Sequence, residues 1–160
     1  MFENLEGIKL ACRLEINDTA GVEDYDRMRP LSYPGVHVVL LCFPIWSPDS
    51  LGNISFKWLV EAWQYMPQQP VILVGTQADC RSDPNKIRKV KEPSQHVISK
   101  DEAQQACQKL GAVEYIECSA WTGEGIDELW REVARIGWNE RERNPQGAPK
   151  IRRRFWHFGV

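Results

Sequence analysis

Val71-Ile-Leu-Val-Gly-Thr-Gln-Ala-Asp79 is the stretch on which the reading of this chain turns. Its first four residues are apolar and three of them are β-branched, which suits a strand buried on both faces of a parallel sheet. Gly75 then breaks the run, so Thr76, Gln77 and Asp79 fall in the loop at the strand's carboxyl end. Val36 to Phe43 and Val113 to Cys118 are further runs of the same kind. Between and beyond them the period changes. Ile54, Trp58, Leu59, Ala62, Trp63 and Met66 share one helical face, and Pro67 ends it. Ser99-Lys-Asp-Glu102 is a capping box that opens a helix with Ala103, Ala106, Cys107 and Leu110 inward, and Gly111 suits its C-terminus. Ile126, Leu129, Trp130, Val133 and Ala134 form a third stripe.

Strand then helix, repeated, argues for an α/β doubly wound sheet. Upstream, Ile8, Leu10, Cys12, Leu14 and Ile16 alternate with Lys9, Ala11, Arg13 and Glu15, so a half-buried strand is expected over 8–16. Ligands in such folds sit at the carboxyl ends of the strands. The loops to watch follow Ile16, Phe43, Val74 and Cys118.

Composition narrows the classes. At 160 residues, 42% hydrophobic and 26% charged, the chain suits one domain with its own core. The longest apolar run, Val38 to Trp46, is broken by Pro44 and is too short to span a bilayer. No secretory signal is visible at the first residues. Five cysteines without a CxxC pair argue against a disulfide framework or a structural zinc, and favour a reducing, cytoplasmic setting. Cys42 and Cys118 read as small core residues. Arg143 to Val160 carries five basic and no acidic residues; with a net charge of −2, the remainder carries −7. Arg81 to Gln95 is polar and basic and reads as a surface insertion, without the interleaved aromatics of a nucleic-acid site. From Asn139 on, Asn144-Pro-Gln-Gly-Ala-Pro149 included, the chain reads as a linker, giving a domain over 1–138 and a basic tail over 139–160.

Three loops carry candidate chemistry. Asp18-Thr19-Ala20-Gly21 offers a carboxylate for a divalent cation and a glycine whose N–H can approach a phosphate oxygen. Asp79 can accept both N–H groups of a guanine edge, and a backbone N–H near Ser119-Ala120-Trp121 can donate to the guanine oxygen. Each loop alone is an ordinary turn or helix cap. In this order on successive strand ends they are far more specific.

With those residues in view, the chain resembles a Rho-family small GTPase over nearly all of Met1 to Ile136. The resemblance is strongest over Asp18-Thr-Ala-Gly-Val-Glu-Asp-Tyr-Asp-Arg-Met-Arg-Pro-Leu-Ser-Tyr33, and continues in Cys42-Phe43, Ser47 to Leu51, Lys57-Trp58, Val71 to Gly75 and Glu117-Cys-Ser-Ala120. The insertion falls where Rho proteins carry an extra helix. The resemblance implies the P-loop small GTPase type of mostly parallel sheet and a guanine-nucleotide signalling switch. It implies GTP or GDP and Mg2+ as ligands, with Asp18 near the metal and Gly21 sensing the γ-phosphate. Thr76, Gln77 and Asp79 match the family's base motif, and Ser119, Ala120 and Trp121 its second base loop. Thr19 and Ala20 complete the nucleotide set. Glu23, Asp24, Tyr25, Arg27, Arg29, Pro30, Leu31 and Tyr33 fall on the surface that contacts exchange factors, GTPase-activating proteins or effectors.

The chain also departs from that family. No GxxxxGK[ST] occurs in these 160 residues, and Met1 to Asn4 resembles the end of a switch segment. The expectation is an N-terminally truncated sheet without first strand, phosphate loop or first helix. Each charge-assisted hydrogen bond to phosphate is worth roughly 1.5–3 kcal/mol, so affinity is expected to be low. In the family that first strand lies mid-sheet, so its loss would leave two facing edges. Val22 stands where the family uses Gln to orient the attacking water, so hydrolysis is expected to be weak or absent and no catalytic residue is assigned. Trp121 replaces Lys or a smaller apolar residue. The terminus Phe155 to Val160 has no cysteine for prenylation, while Lys150 and Arg152 to Arg154 leave weak contact with an anionic membrane. Three readings stay open: a guanine-nucleotide switch, a nucleotide-free pseudo-GTPase scaffold for Rho regulators or effectors, and a truncated product.

Overall fold

The structure, a computed structural model, describes residues 12–83 and 96–143, together with the backbone of two short strands, β1 (Phe2–Glu3) and β2 (Lys9–Leu10). The expected insertion beyond Asp83 and the basic tail beyond Arg143 lie outside the described residues. Three parallel strands form the main sheet in the order β3 (Val39–Pro44), β4 (Val71–Thr76), β5 (Glu114–Glu117). Val39 pairs with Val71, and Ile72 pairs with Glu114. The helices are α1 (Pro48–Asn53), α2 (Leu59–Tyr65), α3 (Lys100–Leu110) and α4 (Ile126–Arg143), and a π-helical turn, Ile54–Trp58, joins α1 to α2.

Period two divides the sheet's side chains between two cores. Val39, Leu41, Phe43, Val71 and Leu73 face Ile54, Leu59, Ala62 and Met66, with Ala103 and Cys107 of α3 in the same core. Ile72, Val74, Ile116 and Cys118 face the other way, onto Leu129 of α4. Each fully buried side chain of this size contributes about 1.5–3 kcal/mol. Helices on both faces make the sheet doubly wound, as expected from the runs around Val71.

Local signals set the helix ends. Ser47 caps α1 by accepting from the Ser50 N–H, with Pro48 in the first turn. At α3 the capping box is complete: Ser99 Oγ accepts from the Glu102 N–H at 3.2 Å, and Glu102 Oε2 accepts from the Ser99 N–H at 2.7 Å. The Ser99 N–H first, then the Ser99 hydroxyl, which donates to Glu102 Oε2 at 2.7 Å, hold the Glu102 carboxyl below its ordinary range. Gly111 ends the helix at φ +66°.

Four expectations need correction. The strand expected over 8–16 is reduced to Lys9–Leu10, antiparallel to Phe2–Glu3 in a separate two-stranded sheet. Cys12 to Ile16 are not in a strand and are exposed, Ile16 at 60%. Alternation fixes which side chains share a face, but a strand also needs an edge to pair with, and β3 is paired on its β4 side alone among the described residues. Trp63 is 54% exposed rather than inward. The wider π-helical turn upstream changes the angular register, and Leu59, Ala62 and Met66 fill the inner face. Cys42 is exposed, because the α4 stripe packs on Val38 and Leu40 but does not extend to it. Finally, α4 runs through Asn139 to Arg143, past the boundary expected at 138.

Candidate functional site at the strand ends

The loops after β4 and β5 meet. Ser119 is fully buried, and its hydroxyl donates to Asp79 Oδ1 at 2.6 Å. Ser119 Oγ accepts in turn from the Thr122 N–H at 3.2 Å, and the Ser119 N–H donates to the Glu124 carbonyl at 2.9 Å. The Ala78 N–H donates to the Cys118 carbonyl at 3.1 Å, so backbone joins the two loops as well. Asp79 sits in a 3₁₀ turn, Ala78–Arg81, entered through Gln77 in the left-handed region at φ +59°. That conformation costs a residue with a Cβ about 1–2 kcal/mol. Gln77 Oε1 also accepts from the Trp46 indole N–H at 2.8 Å. Ala120 is exposed, and Trp121 is 84% exposed at the loop's rim.

Glycine geometry shapes the second loop. A Cβ on Gly125, at φ +72°, would stand 2.0 Å from the Glu117 carbonyl oxygen. Below this loop, Glu117 accepts from Arg81 at 2.8 and 2.6 Å and from the Tyr115 hydroxyl at 2.7 Å. Burial opposes the charge of Glu117, but the Arg81 and Tyr115 bonds prevail and hold its carboxyl below the ordinary range. Burial first, then Glu117, pushes the Tyr115 phenol up.

Asp18, Thr19, Ala20 and Gly21 lie on an exposed segment, and Val22 is exposed beside them. What fixes this segment is Arg29. Its Nε donates to the Ala20 carbonyl at 2.9 Å and Nη2 to the Val22 carbonyl at 3.2 Å. Its remaining reach goes to Asp26 and to Glu61 of α2, each at 2.8 Å, and its guanidinium lies 4.9 Å from the Trp58 ring centroid. The Tyr33 hydroxyl donates to Glu61 as well. Burial alone would weaken the charge on Arg29, but Asp26 and Glu61 hold its proton more tightly than usual. Asp26 is correspondingly held below the carboxylate range, by Arg29 first.

Arg29 is therefore a correction to the outward surface read from sequence: it is buried and holds the segment from within. Glu23, Asp24, Tyr25, Arg27 and Leu31 are exposed, while Pro30 and Tyr33 are half-buried. Sequence reading missed Glu61, Arg81 and Trp46. Glu61 carried a signal, a carboxylate within a helical segment already rich in core residues. Arg81 and Trp46 gave none, because their partners lie 36 and 31 residues away. Among the described residues, no three His, Cys, Asp or Glu side chains cluster as a metal site. No described helix is long and apolar enough to cross a membrane.

Asp79 and Ser119 are thus joined at the ends of adjacent strands of a doubly wound parallel sheet. The Ras family profile matches residues 3–137. GTP-binding protein rho1 of Schizosaccharomyces pombe is 47% identical over 122 residues, covering 76% of this chain and 60% of that protein. GTP-binding protein RHO1 of Candida albicans is 45% identical over 130 residues, covering 81% and 66%. GTP-binding protein rho5 of S. pombe is 43% identical over 141 residues, covering 88% and 70%. The chain belongs to the Ras family of small GTPases, in its Rho group. It spans about 60–70% of the length of these three relatives.

Proposed function

We propose that the protein is a guanine-nucleotide-binding signalling protein of Rho type whose own hydrolysis is weak. The observation that carries this reading is the Asp79–Ser119 pair, 2.6 Å apart at the carboxyl ends of neighbouring strands. The Ser119 hydroxyl orients one Asp79 oxygen, and a carboxylate so aimed can accept from the two N–H groups of a guanine edge. A site built around such a bond rejects a base lacking those donors by about 10⁴-fold or more. The names of the relatives, all GTP-binding proteins, support the same ligand.

Asp18, exposed on the loop that Arg29 holds, is the carboxylate that would take Mg2+, an ion commonly bound by one or two carboxylates with water and phosphate oxygens completing the shell. When bound, the ion supplies charge compensation for phosphate. The chain's own contribution is to hold the Ala20 and Val22 carbonyls on Arg29, which sets the course of the loop where Gly21 would meet phosphate. Val22 offers no polar side-chain atom with which to orient water, which supports weak hydrolysis. Glu23, Asp24, Tyr25, Arg27 and Leu31 are exposed, and they would form the surface that meets exchange factors, GTPase-activating proteins or effectors. A cytoplasmic site of action, with the basic tail touching anionic membrane, belongs to the same proposal.

A second reading has its own observation. The segment bearing that partner surface is tied to α2 through the Arg29 and Glu61 side chains. A nucleotide-free scaffold for Rho regulators would present it equally well. Purified protein should be denatured, its released GDP and GTP measured against protein, and the emptied chain titrated with GDP and ADP. Preference for GDP by at least about 100-fold supports the switch. An empty, cooperatively folded chain that ignores both nucleotides supports the scaffold.

A further inference from the structure

Arg81 joins more elements than its place in a four-residue turn would suggest. Its Nε and Nη2 donate to the two Glu117 carboxylate oxygens at 2.8 and 2.6 Å, and Nη2 also donates to the Ile98 carbonyl at 2.9 Å. From Ile98 the bonding continues through backbone: the Ile98 N–H donates to Ile45 at 2.8 Å, and the Ile45 N–H donates to Thr76 at 3.0 Å. On the other side, the Cys118 N–H, next to Glu117, donates to Gly75 at 2.8 Å. The path Thr76–Ile45–Ile98–Arg81–Glu117–Cys118–Gly75 is a closed ring, and the turn carrying Asp79 springs from it at both ends.

Two details show that the ring is built to close. Tyr115 donates to Glu117 at 2.7 Å, and this orients the carboxylate edge that Arg81 grips. A Cβ at position 75 would stand 2.6 Å from the Tyr115 hydroxyl oxygen and 2.9 Å from Ile45, so only glycine leaves that hydroxyl its place. The spacing is also matched: Arg81 lies two residues after Asp79, and Glu117 lies two residues before Ser119. The charged fork and the Asp79–Ser119 bond are thus parallel rungs between the same two loops.

We propose that Arg81, clamped on Glu117 and Ile98, is a positioning residue that holds Asp79 and Ser119 at base-recognition distance. Its functional meaning rests on the guanine reading above; its structural content does not. A lysine at this position keeps the charge but cannot span both carboxylate oxygens and a third carbonyl.

The test uses the full 160-residue chain and the variants Arg81→Lys and Glu117→Gln. Glu132→Gln, which breaks the Arg135–Glu132 pair on α4, is the control for loss of a surface ion pair. Amide hydrogen exchange is read at Ala78, Ser119 and Thr122, and at Leu73 and Ala103 in the core. GDP and ADP binding are measured alongside. The expected result is at least tenfold faster exchange at the three loop amides, unchanged core amides, and at least a tenfold loss of GDP preference over ADP. Loop exchange that accelerates in a chain taking no nucleotide supports the positioning role and overturns the guanine reading alone. Loop exchange that stays unchanged overturns the proposal, as does acceleration shared equally by the core. If Glu117→Gln fails to fold, the milder Arg81→Lys carries the same decision.

Discussion

At the ends of β4 and β5, Asp79 and Ser119 are held by backbone bonds to the sheet, by each other and by the Arg81–Glu117 fork below them. Asp18 to Val22, the other half of the candidate site, are exposed and lie on a segment gripped by Arg29. The first half inherits its geometry from the strands, so it is set as soon as the sheet forms. The second half borrows its geometry from α2 through a side chain. Under the proposed function, base recognition is thereby separated from the surface expected to respond to ligand or partner. A rigid anchor and a separately held loop let one change without disturbing the other.

Breaking the rigid half should cost most. Gly125→Ala forces a side chain to within 2.0 Å of a backbone oxygen at positive φ, and should destabilise the fold by about 3–5 kcal/mol in denaturant unfolding. Arg29→Ala leaves Glu61 in a half-buried place without its guanidinium, and should cost about 3 kcal/mol. It sharpens the contrast if amide exchange rises through Ala20 to Tyr25 while Ser119 keeps its protection; loosening of both halves together would erase it. Ser119→Ala removes the donor to Asp79 and the acceptor for Thr122, with an expected loss of about 1–2 kcal/mol and a weaker preference for GDP over ADP.

The smallest effect is on pH dependence. Glu117 has its carboxyl lowered in the folded state, so the unfolded chain binds its proton more readily. Its contribution is present above the ordinary carboxylate value, about 4.3, and is lost as pH falls through the lower folded value. Acid titration of thermal stability should show a shallower fall in Glu117→Gln than in the parent between about pH 5 and 3; identical slopes would place the acid sensitivity elsewhere.

The rigid half was also the legible half. Val71 to Val74 announced a doubly buried strand, and Ser99 with Glu102 fixed a helix start, because both signals are local and both were used as read. Asp79 and Ser119 could be placed at strand ends once those strands were placed. The other half resisted reading for physical reasons. The Arg29–Glu61 contact joins residues 32 apart, and nothing in Asp26 to Tyr33 says which arginine turns inward. The alternation over 8–16 described a face correctly suited to a strand, yet pairing is a property of two segments, and most of that stretch found no partner among the described residues. The π-helical turn at Ile54–Trp58 left no mark that periodicity could detect, and it carried Trp63 out of the core.

The parallel register of the main sheet has a consequence in time. Val39 meets Val71 and Ile72 meets Glu114, so the first bond of each ladder must close a loop of 32 or 42 residues. Such closures lose chain entropy before any pairing compensates, and β3 and β4 stay as bare, apolar ribbons until the intervening helices dock. Nascent chains of this protein therefore pass through an interval in which their most hydrophobic segments are open to each other, and the speed of helix docking sets how long that interval lasts.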